Sequence, residues 1–498
     1  MDDKRPSRYG RSPEPRLGAR SSTGKPARHR PSAQSSGKSG ERQDRAGRTN
    51  GGRAQTAGLL SRYLALTILE SVIRDQKTLD TAIPKALSDE RFAGLSPRDR
   101  AFARLLAMTV LRRHANLQAI VGMFLSKPLA ANADRIRLIL LAGTAELTLL
   151  AVPPHAAIST AVELTRLSVK TRHFDKLANA ILRRVANASP DILAAHTLAE
   201  ANFPSWMIAG WQAAYGRETA QRIAEASLSE AALDITPKED PIGWSARLEA
   251  IVLPTGSLRR PAGGRVEDLD GYAEGGWWVQ DAAAALPVSL LAGQLVENTR
   301  VLDLCAAPGG KTAQLCTLGA DITAVEVSET RMQRLLANLD RLGFNVRHVA
   351  ADATTWRSLE LFDAVLIDAP CTATGTIRRH PDILHLKRSD DAARLADMQS
   401  RLLRNAASLV TVGGTLVYCT CSLEAAECED QIEGFLANPG AAPLRFARRP
   451  ISPSEIGHQA DWITPQGDLR TLPFHLPHEN PALTGIDGFY VARLTRLG

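Results

Sequence analysis

From Leu59 to about Val185, apolar residues recur at three- and four-residue spacing, as in Leu64, Ile68, Leu69, Val72 and Ile73. This is the period of helices with one buried face. Ser96, Pro97 and Asp99 predict a helix start, with a hydroxyl N-cap, a proline in the first turn and an acid at the positive dipole end. That helix continues through Phe102, Leu105, Leu106, Val110 and Leu111, and others are expected over 136–150, 157–167 and 177–185. The most apolar stretch, 138–152, carries Glu146 and is shorter than the roughly 20 residues a membrane span needs, so it predicts a buried helix. After Ser189-Pro190 the pattern changes, and residues 202–270 mix one helical stretch (206–215) with short apolar strands and Gly/Pro turns. From Trp277 onward strand and helix patterns alternate, the order of an open, mostly parallel α/β sheet. Its strands are expected at 300–304, 322–327, 346–350, 364–367 and 415–418, with 488–494 closing the sheet. The expected division is a tail over 1–56, an all-α domain over 57–190, a small α/β module over 195–275 and a Rossmann-like α/β domain over 276–498.

Length agrees with that division, since 498 residues exceed a single ordinary core. Six cysteines in so long a chain do not read as a disulfide framework and predict reduced thiols in a cytoplasmic protein. The N-terminus opens with charges and turn formers instead of an apolar signal, and no membrane partner is expected. The net charge of +7 is uneven: residues 1–56 hold 14 Lys/Arg against 5 Asp/Glu, while the rest of the chain holds 46 against 48. With almost no large apolar residues, that tail cannot offset the entropy of ordering and is expected to be disordered. It is either a salt-sensitive phosphate binder or a solvated extension. Arg112, Arg113, Arg183 and Arg184 close two predicted helices, where capping is the expected role ahead of contact with RNA phosphates. Residues 258–265, with Arg259, Arg260 and Arg265, predict an exposed loop that either touches RNA or is simply solvated.

Candidate chemistry gathers at the predicted strand ends. The strand ending at Leu304 runs into Cys305-Ala306-Ala307-Pro308-Gly309-Gly310-Lys311-Thr312, whose small residues let backbone approach a nucleotide-like cofactor. Glu326 ends the next strand, 16 residues after Gly310, where a carboxylate in such folds bonds ribose hydroxyls. Asp352 and Asp368 end the third and fourth strands, so three acids are expected to face the ligand crevice. The spacing of a P-loop is absent, which argues against a nucleoside triphosphate. Two thiols lie in different strand-end motifs, Cys371 in Asp368-Ala369-Pro370-Cys371 and Cys421 in Tyr418-Cys419-Thr420-Cys421-Ser422. Such a pair points to methyl transfer to carbon 5 of cytosine, which becomes nucleophilic only after a thiolate adds at carbon 6. From spacing alone either Cys371 or Cys421 serves as that nucleophile, with Asp368 placed to bond the base. Cys305 and Cys316 read as small buried hydrophobes. Cys419, Cys421 and Cys428 lack a fourth ligand and the usual spacing for zinc, so no metal is expected.

These motifs, with Arg379-His380-Pro381-Asp382 and with Glu424 and Glu427 after Thr420-Cys421-Ser422, resemble the RNA 5-methylcytosine methyltransferase family. The helical segment is similar to the NusB-like domain that marks the family's RsmB (Sun/Fmu) branch, through residues 95–100, 152–157 and 177–184. The resemblance implies S-adenosylmethionine held by Cys305 through Lys311, Glu326, Asp352 and Asp368. It further implies that Cys421 attacks the base while Cys371 assists release, and that the partner is 16S ribosomal RNA, methylated at cytosine 967 by a monomeric enzyme. Other readings are a tRNA or a different ribosomal site, and an inert RNA-binding assembly or antitermination factor. Three departures stand out: Ala373 where the family commonly has glycine, which is expected to stiffen its loop; Glu326 where aspartate is commoner; and Cys419, a third thiol open to disulfide formation.

Overall fold

The computed structural model describes residues 44–196, 198–438 and 444–498, with side chains from Gly58 onward apart from Ile192. Residues 1–43 of the expected tail, and its side chains to 56, lie outside the described residues, while the backbone of 44–56 is helical. The N-terminal domain is built of α1 (Asp44–Ile73), α2 (Leu79–Leu87), α3 (Pro97–Arg112), α4 (His114–Phe124), α5 (Asp134–Thr148), α6 (Pro154–Arg166), α7 (Asp175–Ala186) and α8 (Pro190–Ala194). Ser96 caps α3 as its sequence predicts, its hydroxyl accepting from the Asp99 N–H. Leu64, Ile68, Leu69, Val110, Leu111, Ile139 and Leu182 share one apolar core, which is what the three- and four-residue spacing encodes. Glu146 is tolerated inside α5 because Arg62 reaches it at 2.6 Å.

The next module begins with α9 (Ser205–Tyr215) and α10 (Arg217–Ser227), the second helix being unforeseen. It continues through β1 (Leu233–Pro237), α11 (Pro241–Arg247), β2 (Ile251–Val252), β3 (Leu258–Arg260) and β4 (Trp277–Val279). These strands form an antiparallel sheet in the order β2-β3-β1-β4, so its fourth strand comes from beyond position 275. The expected exposed loop at 258–265 is corrected here. Its first residues are strand β3, and Arg259 is buried, gripping both Asp234 carboxylate oxygens at 2.7 Å and donating to the Leu483 and Gly485 carbonyls. An arginine becomes a core residue when every donor finds an acceptor.

The C-terminal domain follows as α12 (Ala282–Ala292), β5 (Arg300–Leu304), α13 (Gly310–Thr317), β6 (Asp321–Glu326), α14 (Glu329–Arg341), β7 (Arg347–Ala350) and β8 (Phe362–Asp368). It is completed by α15 (Ile383–Leu386), α16 (Asp391–Ala407), β9 (Val410–Thr420), α17 (Glu429–Ala437), β10 (Phe446–Arg448), β11 (Leu469–Thr471) and β12 (Phe489–Arg496). The sheet order is β10-β12-β9-β8-β5-β6-β7, parallel from β9 to β7, with β12 antiparallel to β9. The last strand therefore does not close the sheet. β10 lies beyond it and β11 pairs with it as well. Alternate residues serve opposite faces: Leu416 and Tyr418 pack under α16 and α17, while Val417 and Cys419 pack under α12 and α13. Helices on both faces explain the near-continuous apolar strands.

Residues 53–498 pack as one unit. The helical domain docks on the segment that follows the Cys371 loop: the Leu79 N–H donates to Asp382 at 2.9 Å, and His385 Nε2 meets the Leu111 carbonyl at 2.9 Å. Arg112 is corrected too, since it is buried and donates to the Arg378 carbonyl at 2.8 Å instead of capping α3 from solvent. Arg184 reaches the Phe124 carbonyl at the end of α4, and Arg183 bonds Asn179.

Candidate active site

Parallel strands deliver their ends to one edge, and the register makes β8 and β9 end level, Asp368 opposite Cys419. The Ala369 N–H donates to the Cys419 carbonyl at 2.9 Å, and just beyond, the Cys371 and Cys421 sulfurs lie 3.5 Å apart. Fifty residues of chain separate them, and the pairing of β8 with β9 brings their loops side by side. On the neighbouring strand end, the chain leaves β5 through Cys305 at φ +62° and Gly309 at φ +101° before entering α13.

A cleft of about 360 Å³ opens between this edge and the small module. Among its walls are Asp303, Lys311, Asp368, Arg379, Cys421 and Phe489 on one side, and Tyr272, Trp278 and Gln280 on the other. Of the residues expected to hold a cofactor, Ala306, Pro308, Gly309, Gly310, Lys311 and Asp368 line it, whereas Cys305, Ala307, Glu326 and Asp352 do not. Lys311 Nζ sits 2.8 Å from Asp368 Oδ2. Burial alone would depress that ammonium, but the Asp368 carboxylate holds it above the ordinary lysine range.

Glu326 is buried at the end of β6, where Oε1 accepts from the Ser328 N–H at 3.0 Å. Its Oε2 has an ion-pair contact with Arg331 at 3.2 Å but no hydrogen bond. Asp352 is exposed, held by the N–H and hydroxyl of Thr354, and these bonds lower its carboxyl. Asp303, inside β5, bonds the Thr312 hydroxyl through Oδ2 at 2.6 Å and leaves Oδ1 without a partner. Burial pushes its carboxyl up to about 7. A buried acid with an empty acceptor, in a strand otherwise apolar, is a ligand-binding signal. It was visible in Val301-Leu302-Asp303-Leu304 and was not read as such.

The hydrogen bond with Cys421, then burial, pushes the Cys371 thiol well above its ordinary value. Cys419 is fully buried and directs its S–H at Asp368 Oδ1, 3.7 Å away; burial pushes it up as well. All six cysteines are free. Cys305 and Cys316 are half-buried, each beside an apolar cluster, and Cys428 contacts Thr420 and Ser422. Among the described residues no group of three or more His, Cys, Asp or Glu is arranged to hold a metal, and no helix is long and apolar enough to cross a membrane.

Both thiol loops are braced from several sides. The Gly375 N–H donates to the Cys421 carbonyl at 3.0 Å, and a Cβ on Gly375 would fall 1.9 Å from the Gly488 carbonyl. Ala373 occupies a left-handed conformation, φ +60°, the kind that glycine adopts without strain. From the small module, the Trp211 indole donates to Glu424 at 3.0 Å and the Tyr215 hydroxyl to the Leu423 carbonyl at 2.7 Å. Arg379, quoted in its motif without a role, lines the cleft and pairs with buried Asp487. Asp487 stands alone before β12, and no local pattern marked it.

The family model described as 16S rRNA methyltransferase RsmB/F matches residues 290–495, and the NusB family model matches residues 60–187. Ribosomal RNA small subunit methyltransferase B of Salmonella agona is 33% identical over 411 residues, 79% of this chain and 94% of that protein. The protein of the same name from Salmonella typhi matches at the same identity and coverage. In fold, the crystal structure of PH0851 superimposes on 88% of this chain and 98% of its own, with a TM-score of 0.68 at 21% identity.

Proposed function

The chain belongs to the 16S rRNA methyltransferase RsmB/F family, and we propose that within it the protein forms 5-methylcytosine at cytosine 967 of 16S ribosomal RNA through a covalent bond from Cys421 to the base. The observation that carries this reading is the pair of sulfurs 3.5 Å apart, with Cys421 on the wall of the cleft that also holds Asp368 and Lys311. S-adenosylmethionine, the methyl donor of the family, supplies a methyl group on a sulfonium. The residues fit that cofactor. Glu326 Oε2 and Asp303 Oδ1, on adjacent strands, are buried acceptors without hydrogen bonds, suited to ribose hydroxyls and an ammonium group, and the glycine turn from Cys305 to Lys311 follows the strand of Asp303. Asp352, at the end of the third strand, completes the acidic rim.

The Cys421 thiolate adds to carbon 6 of cytosine, which makes carbon 5 nucleophilic enough to take the methyl group. Asp368, oriented by Lys311, accepts from the exocyclic amino group of the base. Cys371, whose thiol is held protonated by its bond to Cys421 and by burial, is suited to proton handling in the release step and not to attack. A base takes the carbon-5 proton, the electrons of that bond re-form the ring's 5,6 double bond, the bond from carbon 6 to sulfur breaks, and the thiolate is regenerated. A base inside a helix must be unstacked to reach the cleft.

Bisulfite sequencing of ribosomal RNA from cells with and without the protein tests target and chemistry together. Loss of a single methylated cytosine at position 967 is expected; loss elsewhere rejects the target and keeps the chemistry. With purified protein, Cys421→Ala is expected to abolish turnover while cofactor binding persists, and Cys371→Ala to accumulate a covalent protein–RNA adduct. Equal and modest losses in both variants would reject the roles assigned to the two thiols.

A further inference from the structure

Strands β8 and β9 are neighbours, and paired strands lie about 4.8 Å apart. Past their ends the regular ladder gives way to the Gly375 N–H bond to the Cys421 carbonyl at 3.0 Å, and the thiols lie 3.5 Å apart. Thr372 and Ser422 bond each other through their hydroxyls at 3.1 Å, and both also bond one buried acid. Glu427, in the turn before α17, is fully buried and lies away from the cleft walls. Its oxygens accept from the Thr372 N–H at 2.9 and 3.2 Å, from the Thr372 hydroxyl and from the Ser422 hydroxyl at 2.5 Å. Thr372 directly follows Cys371, and Ser422 directly follows Cys421. Gln399 of α16 donates to Glu427 at 3.1 Å and to the Pro370 carbonyl, directly before Cys371, at 2.8 Å. The Tyr418 hydroxyl fixes the backbone of Glu427 through its carbonyl at 2.8 Å.

We infer that Glu427 is a positioning residue that sets the separation of Cys371 from Cys421, tying the residue after each thiol to one carboxylate. Among the described residues no cation pairs with Glu427; hydroxyl, amide and backbone donors surround it, so the group supplies a geometry that an ion pair to one loop would not. Both Glu427 oxygens are filled, and a buried acid whose acceptors are filled fixes the arrangement of the groups it joins. Because both loops hang on the same carboxylate, its loss separates the thiol that attacks from the thiol that assists release.

The inference rests on the thiol roles proposed above, and its signature is specific. In the full-length protein, Glu427→Gln replaces one acceptor oxygen by an NH2 that faces donors. Turnover of ribosomal RNA is expected to fall about 100-fold, with the KM for S-adenosylmethionine unchanged, as a displacement of about 1 Å would produce. A covalent protein–RNA adduct is expected to accumulate although Cys371 is present. Thr372→Val, which removes one hydroxyl donor at almost constant volume, is expected to do the same on a smaller scale, about tenfold. Parental turnover in both variants overturns the inference, and so does lost turnover without adduct. If the control Cys371→Ala traps no adduct, it is the thiol roles that fail. Bridging of Cys371 to Cys421 by dibromobimane then decides on Glu427 alone: a drop of about tenfold in Glu427→Gln upholds the tie, and parental bridging refutes it.

Discussion

Glu427 and Glu326 are both buried acids at the carboxyl edge of the same sheet, and their oxygens are treated in opposite ways. Around Glu427 the protein supplies donors from Thr372, Ser422 and Gln399. Glu326 has an oxygen with no hydrogen bond, as does Asp303 on the adjacent strand. Leaving a buried acceptor empty costs about 1–3 kcal/mol. A fold keeps such atoms where a ligand fills them, whereas a saturated acid has already done its binding inside the chain. Glu427 uses its oxygens to join two loops of the chain, whereas Asp303, on the cleft wall, keeps Oδ1 without a partner.

The distinction is open to direct attack. The largest effect is expected at Glu326→Ala, which removes the waiting acceptor. Calorimetric affinity for S-adenosylmethionine should fall by roughly 2–3 kcal/mol, while the adduct fraction at saturating cofactor stays at the parental level. Adduct accumulation in that variant would erase the contrast with Glu427. A smaller effect follows from Asp303, whose carboxyl rises from 3.8 to about 7 through burial. Between those values the folded chain holds a proton that the unfolded chain has lost, so the ligand-free protein should lose stability as pH rises from about 4 to about 7. Asp303→Asn cannot titrate and should flatten that fall, read from thermal unfolding at a series of pH values. An unchanged slope would mean Asp303 is ionised in the folded chain. The smallest effect is expected at Ala373→Gly. Relief of the left-handed strain, about 1–2 kcal/mol, nearly cancels the added freedom of the unfolded chain, about 0.4–1 kcal/mol. Stability should therefore move by less than about 1 kcal/mol. Bridging of the two thiols should stay parental as well, because the Glu427 tie attaches at Thr372 and not at Ala373.

Much of the architecture was legible because it rests on local periodicity. The strand at 300–304 appears with the expected bounds, 322–327 is displaced by one residue to 321–326, and 346–350 starts one residue later. The helix over 138–152 is buried through most of its length, starts earlier and stops at Thr148. Errors concentrate where charged residues were assigned to the surface by default. Arg259 and Arg112 carry no local mark of burial, and each owes it to acceptors supplied by distant chain, the carbonyls of Leu483 and Gly485 for one and of Arg378 for the other. In the site, the glycine turn, the strand-end acids and the two thiols were readable from residue type and order. The use of Asp303, the pairing of Arg379 with Asp487 and the tie through Glu427 were not.

By itself the sequence determined the order of the modules, the ends of the strands and the presence of two thiols in strand-end turns, since periodicity and turn chemistry act between residues close in the chain. Only the tertiary structure decided that Cys371 and Cys421 meet, that Glu326 and Asp303 each keep an oxygen without a hydrogen bond and that Glu427 keeps none. A hydrogen bond is set within a few tenths of an ångström by partners that can lie anywhere in the sequence, as Asp382 and Leu79 do across 303 residues. A pattern of apolar and polar positions says which face is buried; which donor a buried acid finds depends on strand order and domain docking.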